Sequence, residues 1–96
     1  MELFIFARFH TREGHEAAAA AVLRDQVKGV RKEPGCIAIH AYRSVRDRRL
    51  FYIHSRWTDE AAFGAHAELA RTVRFVERME TLIDHPFEAT RAGLLE

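Results

Sequence analysis

The segment from Leu3 to Phe9 is apolar at every position except Arg8. In an extended strand Leu3, Ile5, Ala7 and Phe9 share one face while Phe4 and Phe6 occupy the other. A strand apolar on both faces has to be covered on both. That requirement rules out an edge hairpin or a one-sided surface sheet, and it asks a chain of 96 residues to find two layers of cover. A chain of this length buries roughly two-thirds of the surface it exposes when unfolded, enough for one core. A single domain over residues 1–96 is therefore expected.

The rest of the chain supplies one of those layers. After a polar turn at Thr11 to Gly14, Ala19, Leu23, Val27 and Val30 recur at helical spacing through an alanine-rich stretch. Glu33-Pro34-Gly35 ends that helix, since proline lacks the N–H and glycine accepts the turn that follows. A strand is expected from Cys36 to about Ser44 and another from Leu50 to Trp57, joined as a hairpin through Arg46-Asp47-Arg48-Arg49. Thr58 is the expected N-cap of a second helix, with Asp59 and Glu60 in its first turn. Phe63, His66, Ala70 and Val73 form a stripe on that helix. Phe75, Val76, Met79, Leu82 and Ile83 continue the pattern after a break near 70–72. His85-Pro86 stops it, and Phe87 to Leu95 offers a last short strand.

The order β-α-β-β-α-β predicts an α+β, ferredoxin-like fold with an antiparallel sheet and both helices on one face. Its bare face carries Phe4, Phe6, His40, Tyr42, Tyr52 and His54. Exposed aromatic patches of this extent mark interfaces, so a homodimer joined through the sheet faces is expected.

Several function classes are disfavoured. Fifteen Lys and Arg against fourteen Asp and Glu leave a net charge of +1. Nucleic acid is therefore not an expected partner. Arg46, Arg48 and Arg49 enclose Asp47, and Glu77 can pair with Arg74 in the helical row Arg71, Arg74, Arg78. The run Arg49 to Arg56 across the third strand lacks the glycine and terminal aromatic of an RNA-recognition motif. One cysteine, Cys36, gives no disulfide and no thiolate zinc site. The six histidines show no H-x-H, H-x-x-H or H-E-x-x-H spacing, so no metal site is expected. The apolar run Ala17 to Leu23 is far below the roughly 20 residues of a membrane span, and Glu2 and Arg8 spoil a signal-peptide reading. A cytoplasmic protein without membrane contact is expected.

Lys32-Glu33-Pro34-Gly35-Cys36, Tyr42-Arg43-Ser44, Ser55-Arg56-Trp57-Thr58-Asp59-Glu60-Ala61-Ala62 and His66 resemble the antibiotic biosynthesis monooxygenase family along nearly the whole chain. The resemblance implies a dimeric α+β barrel with an apolar cavity between sheet and helices. Family members include cofactor-free oxygenases of quinols and anthrones and haem-degrading proteins. The chain departs from each type. Ser55 stands where many members have an acid, and Arg71 replaces the quinol type's second histidine. Ile53 and Phe63 replace an asparagine and a tyrosine of the anthrone type. Ala7 and Val76 occupy the asparagine and iron-ligand positions of the haem-degrading type, which disfavours haem.

The function implied is a cofactor-independent monooxygenase oxidising a small electron-rich aromatic with O2. No cofactor is expected, because the substrate itself supplies the electrons. His66 is the candidate base, histidine being the side chain whose ordinary pKa lies nearest neutrality. Its bland alternative is a histidine packed at the helix–sheet junction. Trp57 either orients a substrate oxygen through its indole N–H or anchors the second helix. Ile5, Ala7, Ile39, Ile53, Phe63, Phe75 and Met79 are the expected pocket lining, with Ser55 as a second hydrogen-bond donor. The competing reading is a non-catalytic dimeric protein that binds a small aromatic compound.

Overall fold

In the computed structural model, which describes residues 1–96, the two-faced strand is β1, Leu3–His10, and it lies inside a four-stranded antiparallel sheet. Its neighbours are β3, Leu50–Trp57, and β4, Glu88–Ala92; β2, Cys36–Arg43, pairs with the outer side of β3. The sheet order is thus β2-β3-β1-β4, as the ferredoxin-like reading requires. The register sets Leu3 opposite Trp57, Ile5 opposite Ser55 and Ala7 opposite Ile53.

Helices α1, Glu16–Val30, α2, Glu60–Glu68, and α3, Ala70–Glu80, form the second layer. Leu3, Ile5, Ala7 and Phe9 are buried beneath them with Phe51, Ile53 and Trp57 of β3 and Ala19, Leu23, Val27 and Val30 of α1. The opposite face of β1 stays uncovered, with Phe6 51% exposed. Tyr42 and Tyr52 are likewise exposed beside it, while Phe4 and His54 are partly covered and in ring contact. No helix is long and apolar enough to cross a membrane.

Three local expectations are corrected. The second helix is capped by Asp59, whose side chain accepts from the Ala62 N–H at 2.8 Å, and Thr58 remains outside it. Asp59 has the extended backbone (φ −166°, ψ 177°) that aims a carboxylate back at the first turn. The break falls at Leu69, extended at φ −64°, ψ 142°, one residue before the interval that the pattern suggested. It turns α3 so that Thr72 and Met79 face the core, and Ala70 and Val73 lie on the exposed side. The second strand closes at Arg43, because the Ser44 hydroxyl accepts the Arg46 and Asp47 N–H groups and starts the hairpin turn.

Candidate functional site

The site begins at the end of α1. Lys32 N–H bonds to Gly29 O and Glu33 N–H to Val30 O, which tightens the chain into a turn before Pro34. Gly35 follows with φ +84°, a conformation glycine adopts without strain. Its carbonyl accepts the Thr58 N–H at 2.9 Å, so the turn is fastened to the start of α2. Its Cα is also so close to α2 that an added Cβ would lie 2.4 Å from the Ala62 Cβ.

This docking aims Glu33 beneath α2, where its Oε1 lies 2.7 Å from His66 Nδ1. The two side chains are only 11% and 10% exposed. Thr72 Oγ1 lies 3.4 Å from the same nitrogen. Glu33 Oε2 is buried without a partner, so the imidazole is the main polar company of this carboxylate. The His66 ring lies against Trp57, with centroids 4.8 Å apart, and against Phe63 at 5.6 Å. Trp57 meets Phe63 edge-on at 5.7 Å, which completes a cluster of three rings. Over its outer side the Arg91 guanidinium sits 5.1 Å from the Phe63 centroid.

The arrangement gives each nitrogen of His66 a separate task. A carboxylate can only accept, so Nδ1 donates to Glu33, and the neutral ring then carries its lone pair on Nε2. Nε2 makes no hydrogen bond within the protein. The same carboxylate acts on Cys36: burial pushes the thiol pKa up, Glu33 adds to the rise, and Arg31 opposes it.

His66 and Trp57 are thus in contact, but the indole N–H donates to Ser55 Oγ at 3.0 Å. Ser55 accepts in that bond, whereas the sequence suggested it as a donor to substrate. Ile5, Ala7, Ile39, Ile53 and Met79 converge in the buried cluster, and Phe63 and Phe75 pack on it partly covered. In this conformation the side chains of these residues pack against one another in the core. None of the principal clefts has Trp57, His66 or Glu33 in its wall.

Sequence reasoning places Glu33 in a helix stop and in the turn that carries the family resemblance, and misses its pairing with His66. It also misses a cluster at the other end of the sheet, where His10 and His85 both hydrogen-bond to Asp84. Those bonds, His10 foremost, hold the Asp84 carboxyl down at about 2. Asp47 is lowered chiefly by the Arg49 backbone N–H.

The sequence profile described as antibiotic biosynthesis monooxygenase matches residues 3–78. No curated protein matches the chain. Among solved structures, Rv0793 from Mycobacterium tuberculosis superposes with a TM-score of 0.93 at 21% identity, covering 100% of this chain and 97% of its own. PA3566 from Pseudomonas aeruginosa gives 0.90 at 27% identity, covering 99% and 95%. A variant of SnoaB, a cofactor-independent oxygenase from Streptomyces nogalater, gives 0.88 at 17% identity, covering 99% and 94%.

Proposed function

This chain belongs to the antibiotic biosynthesis monooxygenase family, and from that premise we propose that it is a cofactor-independent monooxygenase oxidising a small electron-rich aromatic of the quinol or anthrone class with O2. The observation that carries the reading is the Glu33–His66 pair held against Trp57 and Phe63. A carboxylate that fixes the imidazole tautomer and steadies the imidazolium after proton transfer is a recurring arrangement for a general base.

His66 Nε2 takes the acidic proton of the bound aromatic, and the resulting anion is the electron donor to O2. For an anthrone, the CH2 carbon loses two hydrogens and becomes a carbonyl. One atom of O2 ends in that carbonyl, and the other leaves with the two hydrogens as water. Ile5, Ala7, Ile39, Ile53, Phe75 and Met79 contribute an apolar floor that keeps water from the anion. Admission of the aromatic against His66 is assigned to displacement of α2, which has no fully buried residue. The family resemblance implies a dimer, and we assign the bare sheet face of this chain, with Phe6, Tyr42 and Tyr52 exposed on it, to a second copy.

The test is O2 uptake with a panel of quinols and anthrones. His66→Ala is expected to lower kcat by about a hundred- to ten-thousandfold, the usual worth of a general base, with the dimer still folded. Glu33→Gln should cost less, because the amide oxygen still accepts the Nδ1–H while the charge is lost. Unchanged turnover in His66→Ala overturns the assignment.

A second reading, a binder without turnover, is favoured by one observation: the Trp57 N–H is already bonded to Ser55, so it offers no free donor to a substrate oxygen. Trp57 is the single tryptophan. Saturable quenching of its fluorescence by an aromatic that is never oxidised would select this reading.

A further inference from the structure

At the far end of β1 from Trp57, three separate stretches of chain meet. His10 closes β1, Asp47 lies in the β2–β3 turn, and Asp84 and His85 follow α3. The Asp84 N–H bonds to the His10 carbonyl at 3.0 Å, which ties the stretches together through the backbone. Around that tie, His10 Nδ1 and His85 Nδ1 approach the same oxygen, Asp84 Oδ1, at 2.7 and 2.6 Å. One ligand atom from each residue lies within 4.8 Å of the other two.

We propose that His10, Asp84 and His85 form a binding site for a divalent first-row transition metal ion of the Zn2+ kind. Two imidazoles and a carboxylate are the donor set such ions favour over Mg2+ or Ca2+, which prefer oxygen alone. Donor atoms converging at this spacing can each settle about 2.0–2.2 Å from one ion. Without the ion, each ring can donate Nδ1–H to the carboxylate; with the ion, each Nδ1 turns its lone pair to the metal and the ring proton moves to Nε2, where that of His10 faces Asp47.

The groups behind the three residues support the assignment. His10 Nε2 lies 3.2 Å from Asp47 Oδ2, the carboxylate–imidazole relay that orients a metal-binding histidine. Arg49 Nη2 holds the other Asp84 oxygen at 2.7 Å. Arg49 is itself fixed by its Nε–H, which donates to Thr11 O at 2.8 Å. His10 and Asp84 are therefore oriented in advance, and His85, 71% exposed, is the mobile arm that closes on the ion. A cleft of about 290 Å³ beside them, lined also by Arg8, Asp47 and Glu88, has room for water to complete the coordination. Residues 74 positions apart along the chain supply the ligands, and no short-range spacing motif contains such a pair.

The proposal stands apart from the His66 reading, and its test does not use turnover. The metal-stripped full chain is titrated with Zn2+ by calorimetry, and with Co2+ by visible absorption. One ion per chain is expected. His85→Ala, which removes an exposed side chain and leaves the fold intact, should abolish stoichiometric binding, as should Asp84→Asn. Asp47→Asn should weaken affinity about 10- to 100-fold, the usual effect of losing an orienting partner. His15→Ala should change nothing. Absence of a saturable site, or stoichiometric binding that survives both His85→Ala and Asp84→Asn, overturns the proposal.

Discussion

A methyl group added at Gly35 would meet Ala62 at 2.4 Å, in a backbone conformation that disfavours any side chain. Gly35→Ala is therefore expected to destabilise the fold by about 1–3 kcal/mol through backbone strain alone, read as a lower urea midpoint. An unchanged midpoint would mean that residue 35 does not hold the left-handed conformation described. The neighbouring Cys36 carries a pH effect of definite sign. Its pKa is raised above the ordinary 9.0, chiefly by burial, so the folded state holds the thiol proton more tightly. The associated stability is present below pH 9 and fades as pH climbs through the raised value. Iodoacetamide at pH 8 should then alkylate the native protein more slowly than the urea-unfolded chain; equal rates would remove the effect. Glu33 shows where reading the sequence stopped at this scale. An acid ahead of Pro-Gly is an ordinary helix ending, and only the docking of that turn on α2 turns it into the partner of a histidine 33 residues away.

Among the elements, α2 is the least anchored, with no residue fully buried, while α1 buries six. Amide hydrogen exchange should be faster over residues 60–68 than across α1. Gly64 sits in α2 with open space where a Cβ would go. Gly64→Ala should therefore stabilise the protein by about 0.5–1 kcal/mol through helix propensity, and on our functional reading it should also slow substrate entry. A destabilised variant would contradict the packing described. Strands and α1 were legible because periods of 2 and 3.6 in apolar side chains record which face is buried. The α2–α3 break was less so, because an exposed Leu69 and an inward Thr72 invert the polarity that a helical pattern leads one to expect. The pocket is harder to read for a like reason: the apolar residues named for it meet in the core, but composition does not say whether such residues surround a space or fill it.

For the whole molecule, the principal extents of 39 × 32 × 20 Å describe a slab with room for one sheet and one helical layer. A monomer of 11.1 kDa ordinarily exposes about 5,700 Å², against 6341 Å² here. The excess approaches the roughly 800 Å² that each partner contributes to a standard interface. On the proposed pairing, Phe6→Glu on the bare face should leave the chain folded and shift its sedimentation from dimer to monomer, since an unpaired charge is costly to bury. A wild-type monomer at micromolar concentration would refute the pairing. The position of β1 has a further consequence, in time. It is made before every strand it joins, and its partner across Phe4 is Ala92. Ribosomes add about 5–20 residues per second, so Phe4 waits roughly 4 to 18 s for that partner to be synthesised. During that interval the most apolar strand of the protein has an open edge. Overexpression in the cold, which lengthens the wait, should divert more nascent chain to chaperones than a version in which Phe4 and Phe6 are polar.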